Sequence, residues 1–299
     1  MEKFLHLVSI IIPTCNSEKT ILRCLDSVFK QTYQNFEVVI CDDKSTDSTR
    51  EVLKTVTDPR VSIYYLNENS GAAVARNTAM QNAKGELFAF LDSDDEWYPE
   101  KLETQIPYFV DKNVGLVLTG ARIIKNEIKT VFYKTKKDWE VDSYRKLFMG
   151  EINYLTPTVI IRSDCVKKIG YMEPELRRNQ DFDFFLRILK YYNLKVIETP
   201  LATIHMKTSK PTFTRLENSI KFYETKRIKF FREDFSDKEI NLFFARKNRD
   251  LCAAILRSGK YSKCFKPFKK SLNFSPTFIL NPSNLYLLFK SLVAGIINK

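Results

Sequence analysis

Asp92, Asp94 and Asp95 stand directly behind an apolar run, Leu87 to Leu91, in the stretch LFAFLDSDDEWYPEKL. In extended chain an Asp-x-Asp spacing puts Asp92 and Asp94 on the same side. Carboxylates this close repel one another and are costly to leave uncompensated. A divalent cation, Mn2+ or Mg2+, neutralises such a set and can hold phosphate oxygens at the same time. The run before the acids is short, apolar on both faces and bounded by Gly85, which fits a strand buried in a parallel sheet. Ligands of open parallel sheets gather at the carboxyl ends of the strands. The acids therefore point to a metal site made for a phosphate-bearing ligand. A second reading stays open on these residues alone: Asp95 or Glu96 caps a following helix that carries Pro99 in its first turn.

The elements that position these acids are legible upstream. Residues Val8 to Ile12 form a β-branched run that stops at Pro13, a buried strand. A helix follows, with Asn16 or Ser17 as cap and Ile21, Leu22, Leu25, Val28 and Phe29 as its apolar face. FEVVIC, residues 36–41, is a second strand, ending in Asp42 and Asp43. Val61 to Leu66 is a third, and Gly71 to Ala83 is a small-residue helix able to pack closely on a sheet. Strands alternating with helices in this way make a parallel sheet. Thr14 and Asn16, Asp42 and Asp43, Asn67 and Asn69, and the acid cluster then converge on one edge. This is a nucleotide-binding arrangement that has neither a Walker lysine loop nor GxGxxG, so the phosphates require another counter-charge.

Beyond residue 110 the pattern is less regular. Val114 to Thr119 reads as a strand, Arg122 to Lys137 as exposed strands or a hairpin, and Val141 to Met149 as a short helix. Tyr154 to Arg162 reads as a strand and Lys195 to Glu198 as a last short one. Asp181 opens an amphipathic helix with Phe182, Phe185, Leu186 and Leu189 as its buried face; the helix dipole there favours an ionised carboxylate. From about residue 210 two long helical patterns follow, roughly 216–231 and 236–256. Lys260 to Lys270 is basic with Tyr261, Phe265 and Phe268 interleaved. Leu285 to Ile297 is almost wholly apolar, shorter than the ~20 residues that span a bilayer, and suits an interfacial or core helix.

The 299 residues amount to one large domain or two smaller ones, and 44% hydrophobic residues suffice for a substantial core. The net charge of +12 is unevenly placed: residues 1–205 hold 28 basic against 29 acidic residues, and residues 206–299 hold 20 against 7. A localised basic block implies a polyanionic partner, nucleic acid or anionic lipid, or else a solvated face. The six cysteines include no CxxC pair, and residues 1–7 are too short and mixed for a signal peptide. Reduced, cytosolic thiols are expected, and with only two histidines a zinc site is not.

The segments VSIIIPTCN, EVVICDDKSTDST, NSGAAVARNTA, FAFLDSDDEWYPEKL and NQDFDFFLRI, in this order and spacing, resemble the family 2 glycosyltransferases of bacterial surface-polysaccharide synthesis. The resemblance spans about residues 7–206. It implies a GT-A fold, an α/β architecture with a mostly parallel sheet flanked by helices. It also implies a nucleotide-sugar donor, a divalent cation and inversion at the anomeric carbon. On the matching positions, Pro13, Thr14 and Asn16 contact the donor nucleoside, Glu18 lies near the diphosphate, Asp42 binds the base, commonly uracil, and Arg76 lies near the nucleotide. Asp92 and Asp94 are the DxD pair, with Ser93 between them at the nucleotide-sugar. Asp94 is the direct metal ligand, Asp92 lies nearer the ribose, and His205 falls near a histidine that contacts metal or diphosphate. Asp181 is the catalytic base. The chain departs from the pattern at Cys15, where an aromatic residue is common, at Lys44, where glycine is usual, and at Gln180, in place of glutamate. It also lacks the arginine often found just before the histidine.

Residues 1–209 are thus expected to form a metal-dependent transferase domain, and residues 210–299 a helical, basic region. The expected reaction moves a sugar from a UDP-sugar to a glycan or lipid-linked oligosaccharide at the inner face of the cytoplasmic membrane. The basic, aromatic tail supplies contact with anionic lipid, and no specific nucleic acid is expected. Two other classes are weighed against it. A nucleic-acid-binding protein would use the basic tail but leaves the strand-end acids unexplained. A sugar nucleotidyltransferase would want a Gly- and Arg-rich phosphate loop, which residues 13–23 do not contain.

Overall fold

The computed structural model describes residues 6–126, 129–206, 213–260 and 263–276. The chain divides into two compact units, Met1–Leu147 with Glu151–Thr208, and Phe148–Gly150 with Ser209–Lys299.

The first unit opens with β1 (Val8–Thr14), α1 (Ile21–Phe29), β2 (Phe36–Asp42), α2 (Thr49–Lys54), β3 (Val61–Tyr65), α3 (Ala72–Gln81) and β4 (Leu87–Phe90). There follow β5 (Glu96–Trp97), α4 (Lys101–Gln105), β6 (Val114–Lys125), β7 (Lys129–Tyr133), α5 (Ser143–Phe148), β8 (Val159–Arg162), α6 (Asp164–Ile169), α7 (Gln180–Leu189) and β9 (Asn193–Met206). The strands form one sheet in the order β3-β2-β1-β4-β8-β6-β9-β5, with β7 paired to β6.

The α/β architecture is as expected, but the sheet is mixed rather than mostly parallel. β1 runs parallel to β2 and β4, and β2 to β3. Beyond β4 the sheet turns antiparallel at β8, which also pairs antiparallel with β6, while β6 and β9 are parallel. Antiparallel neighbours need no crossover helix, and the chain ahead of β8 supplies only short helical turns.

Every residue of β1 is buried, because both faces of this central strand are covered. Val8, Ile10 and Ile12 share a core with Cys24, Leu25 and Val28 of α1. On β4, Phe90 meets Phe184 and Phe185 of α7, with ring centroids 6.3 and 6.0 Å away. The period-2 alternation of the strands thus divides one apolar run between two helical layers.

Two strands differ from the sequence reading for local reasons. β8 starts only at Val159, because Thr156–Thr158 form a 3-10 turn around Pro157, whose missing N–H cannot join a ladder. β9 runs past Glu198 to Met206: its register against β6 jumps between Thr119, opposite Ile197, and Gly120, opposite Pro200. A bulge takes up the intervening residues, Pro200 sits at it, and pairing resumes beyond.

The second unit contains α8 (Phe213–Phe222), a π-helical turn (Tyr223–Arg227), α9 (Ile228–Asp234), α10 (Asp237–Arg257) and α11 (Phe265–Phe274). The helix expected over 216–231 is therefore interrupted by the π turn. A capping box starts α10: the Ser236 hydroxyl accepts from Glu239 N, and the Glu239 carboxylate accepts from Ser236 N. The core is aromatic, with Phe148 stacked on Phe235 at 3.8 Å and on Phe243 at 4.8 Å. In the basic stretch Phe268 is buried and Phe265 is 57% exposed. Tyr261 and the apolar stretch 285–297 lie outside the described residues. Among the described residues no helix is long and apolar enough to cross a membrane.

Replacing Phe90 with alanine removes the ring on which Phe184 and Phe185 pack and should cost about 3–5 kcal/mol in urea unfolding. A loss under about 1 kcal/mol would mean that α7 is held to the sheet by other contacts.

Candidate functional site

The strand order places β1 between β2 and β4, so the chain leaves β1 toward one side and returns to its other side. Crevices open at the carboxyl ends of strands at such a switch point. A cavity of 550 Å3 lies there, lined by the ends of β1 and β4 and the first turns of α3. Pro13, Thr14, Asn16, Glu18, Arg76, Asp92, Ser93 and Asp94 all line it. The Thr14 hydroxyl and the Arg76 Nε are buried without a hydrogen-bond partner among the described residues. Both residues line the cavity, with these two atoms beneath its surface.

Several of these residues also build the wall. Asn16, in the left-handed region at φ 54°, accepts from Thr46 N at 2.8 Å, and Glu18 accepts from Ser48 N at 3.0 Å. Both tie the chain after β1 to the chain after β2. Ser93 and Ser17 share a hydroxyl hydrogen bond of 2.7 Å that ties the acid loop to the same segment.

Asp42 does not line the cavity. It is fully buried, and its carboxylate accepts from Arg50 Nε at 2.6 Å and from the Ser45 hydroxyl. Asp43 lines the cavity instead, accepting from Ser70 N at 2.6 Å and Gly71 N at 2.8 Å. Successive side chains at a strand end point to opposite sides, and the sequence does not say which of two adjacent aspartates faces inward. Gly71 is required where it stands: its φ is +91°, and a Cβ there would lie 2.2 Å from the Arg177 guanidinium.

The acids at the end of β4 are each compensated differently. Asp92 pairs with Arg76 at 2.5 Å. Glu96 pairs through one oxygen with both Arg23, at 3.1 Å, and His205 Nε2, at 2.7 Å. Asp95 is 3% exposed and accepts from His205 N at 2.8 Å. Burial, then the charges of Asp92 and Asp94, push its carboxyl up to about 9, so it holds a proton at neutral pH. Asp94, whose carbonyl accepts from Arg23 at 2.6 Å, lines both this cavity and a second one of 280 Å3 that His205 also lines.

Among the described residues no three His, Cys, Asp or Glu side chains group as a ligand set. His205, engaged by Glu96, is not brought together with Asp92 and Asp94 as a third ligand. One or two carboxylates are the protein donors typical of a Mg2+-type ion completed by substrate phosphates and water. The donor set therefore fits a cation bound together with a diphosphate.

Asp181 lines neither cavity. Its Oδ2 accepts from the Thr156 hydroxyl at 3.1 Å and its Oδ1 from Phe182 N at 2.9 Å. Because β8 runs antiparallel to β4, the turn that carries Thr156 sits beside the end of β4, on the edge where the acids stand. The loop before α7 is fixed by a reciprocal pair between Asn77 and the Met172 backbone, at 2.8 and 3.0 Å. Within α7, Asp183 is buried against Arg187 at 2.9 Å.

A model of glycosyl transferase family 2 matches residues 9–170. The chain belongs to this family. The glycosyltransferase is 35% identical over 224 residues to the UDP-Glc:alpha-D-GlcNAc-diphosphoundecaprenol beta-1,3-glucosyltransferase WfgD of Escherichia coli, covering 74% of this chain and 83% of that one. Among solved structures it is similar to S. aureus TarS 1-349 in complex with UDP-GlcNAc, at TM-score 0.56 and 21% identity over 96% of this chain and 88% of that one. It is similar also to the mannosyltransferase PcManGT of Pyrobaculum calidifontis in complex with GDP-Man and Mn2+. That match has TM-score 0.59 and 17% identity over 99% and 89% of the two chains. At such identities the structural likenesses show the fold, which is GT-A.

Sequence reasoning did not find Arg23 or Thr156, read Ser17 and Glu96 only as helix caps, and set Asp43 on the strand-end edge without a role of its own. Arg23 and Thr156 acquire their partners only through sheet order.

The raised Asp95 carboxyl ties stability to pH. The unfolded chain loses this proton above about 4, whereas the folded protein keeps it to about 9. The term is fully present below about 4 and is lost as pH rises through the folded value. In EDTA, Asp95→Asn, which keeps an acceptor for His205 N, should flatten the decline of Tm with rising pH. Asp95→Ala should flatten the profile in the same way and lie about 1–3 kcal/mol below Asp95→Asn at all pH values. An unchanged pH profile in Asp95→Asn would show that Asp95 is ionised in the fold.

Proposed function

We propose that this glycosyltransferase transfers a sugar from a UDP-sugar, with inversion, to a hydroxyl of a glycan or lipid-linked oligosaccharide in surface-polysaccharide synthesis. The observation that carries the reading is the 550 Å3 cavity at the switch point, which Thr14, Arg76, Asp43, Asp92 and Asp94 line together. The similarity to WfgD, a UDP-Glc-dependent enzyme acting on a diphospholipid-linked GlcNAc, supports the donor and acceptor classes.

In this reading Pro13, Thr14 and Asn16 receive the nucleoside, and Arg76, paired to Asp92, lies beside the nucleotide. Asp43 takes the wall position first assigned to Asp42, which acts from behind through Arg50. Asp94, with Asp92, holds a Mn2+ or Mg2+ ion; such an ion supplies charge stabilisation for the departing diphosphate. Asp181 accepts the proton of the acceptor hydroxyl as its oxygen bonds to the anomeric carbon. The bond from that carbon to the diphosphate breaks, and its electron pair leaves with the nucleotide. No covalent enzyme intermediate is needed for inversion.

Residues 1–209 carry this chemistry. Residues 210–299 bring it to anionic lipid at the cytoplasmic membrane face, a role supported by α11, which buries Phe268 and exposes Phe265, Lys266, Lys269 and Lys270.

Calorimetric titration with UDP, GDP and CMP, each in Mn2+ and in EDTA, tests the donor site. UDP should bind in Mn2+, and both EDTA and Asp94→Ala should weaken it by about tenfold or more. Equal binding in EDTA would remove the metal from the reading, and no binding of any nucleotide would remove the reading itself. For the tail, α11 packs on α10 through the Ser271 hydroxyl, 2.8 Å from Ala245 O, so its exposed face is changed rather than the helix removed. The double variant Lys266→Glu, Lys269→Glu should sediment less with vesicles containing anionic lipid than the parent chain. Undiminished sedimentation would place the contact elsewhere.

A further inference from the structure

Thr156 is the side chain that touches Asp181 from outside α7, through a hydroxyl 3.1 Å from Oδ2. A carboxylate only accepts, so the hydroxyl must donate, and its proton is directed onto the acid. Together with the bond from Phe182 N to Oδ1, this gives each oxygen one fixed donor. The carboxylate keeps unused acceptor capacity for a hydroxyl of a substrate, and its plane is set.

The turn that carries Thr156 is itself held with unusual thoroughness. Trp97 Nε1 donates to Pro157 O at 2.8 Å. Gln105 Nε2 donates to Thr158 O at 3.1 Å and to Val117 O at 3.0 Å. Lys101 Nζ reaches Thr158 O at 3.4 Å, bonds the Gln105 side-chain carbonyl and lies 4.8 Å over the Trp97 ring. The Thr158 hydroxyl closes the turn on Leu155 O at 2.7 Å. Lys101, Gln105 and Thr158 are fully buried, and burial pushes the Lys101 amine well below its ordinary range. An apolar filling of this space would be cheaper than a buried lysine, whereas a satisfied buried polar network fixes one geometry. The Trp97–Lys101–Gln105 clamp comes from the chain that immediately follows Asp94 and Asp95. One segment, 92–105, therefore carries the acids at one end and grips the turn under Asp181 at the other.

We propose that Thr156 is a positioning residue for the transfer step, orienting the Asp181 carboxylate, and that the Trp97–Lys101–Gln105 cluster holds Thr156 in place. The inference rests on the reading of Asp181 as base. It adds that the base is aligned by the same segment that forms the nucleotide end of the site.

The test compares Thr156→Val, which keeps the shape and removes the hydroxyl, with Thr156→Ser, which keeps the hydroxyl. Turnover is read as UDP release, using whichever of UDP-glucose, UDP-galactose and UDP-GlcNAc the parent turns over fastest, with a GlcNAc-diphospholipid or water as acceptor. UDP affinity is measured by calorimetry. Thr156→Val should lower kcat by about 10- to 100-fold, leaving the donor KM and the UDP Kd unchanged, and Thr156→Ser should restore most of the rate. Trp97→Phe, which keeps a ring and loses the donor to Pro157 O, should give the same signature in weaker form and serves if Thr156→Val does not fold.

An unaltered kcat in Thr156→Val, or a parallel loss of UDP affinity, overturns the positioning role. Asp181→Asn separates the two claims. If it remains active, the base assignment falls and this inference with it. If it is inactive while Thr156→Val is fully active, only the positioning role falls.

Discussion

Four acidic residues in five positions, Asp92 to Glu96, crowd the end of a buried strand, and the site is organised by how that charge is compensated. Each acid takes a different course. Asp92 has the Arg76 guanidinium. Asp95 gives up its charge by holding a proton and anchors the backbone of His205. Glu96 collects Arg23 and His205 on one oxygen. Asp94 is the one that lines both cavities. Burying several ionised carboxylates together would cost far more than a domain's stability allows. Distributing them among a proton, an arginine and a shared ion-pair network leaves the charge concentrated where a ligand can meet it.

The scaffold follows from that requirement. The acids need a strand whose end does not move, and β4 has partners on both edges and aromatic rings of α7 against Phe90. The same packing brings Asp181 to the edge of the sheet at which the acids stand, since it lies one turn ahead of Phe184 and Phe185 on α7. The mixed sheet matters here. A parallel strand in the place of β8 would begin, not end, at the opposite edge, and the turn that holds Thr156 would lie far from the end of β4. The antiparallel entry of β8 puts a turn, whose backbone carbonyls no ladder pairs, next to the acids, and the polar side chains after Asp95 take up those carbonyls.

The second unit is built on a different principle. Its core is a stack of aromatic rings around Phe148, Phe231, Phe235 and Phe243. The exposed face of α11 carries lysines beside an uncovered Phe265. Charge excess and aromatic content were both visible in composition. Which rings belong to the core was not, because Phe265 and Phe268 differ by only three positions on one helix.

Much of the fold was legible in the chain itself. The β-branched runs 8–12 and 36–41, the apolar run 87–91 and the amphipathic repeat after Asp181 are patterns of near neighbours, and local sterics and burial act on near neighbours. The position of the DxD acids directly behind a strand was legible for the same reason. Pro157 and Pro200 were visible too, but their consequences, a shortened β8 and a bulge inside a long β9, depend on which strand lies alongside. Partner choice was decided by tertiary structure alone. That Asp43 rather than Asp42 faces the cavity, that His205 pairs with Glu96, and that Thr156 meets Asp181 across 25 residues of chain all depend on sheet order and register. A one-dimensional pattern of apolar and polar residues records how far each side chain is from water, and it does not record which distant side chain it will face.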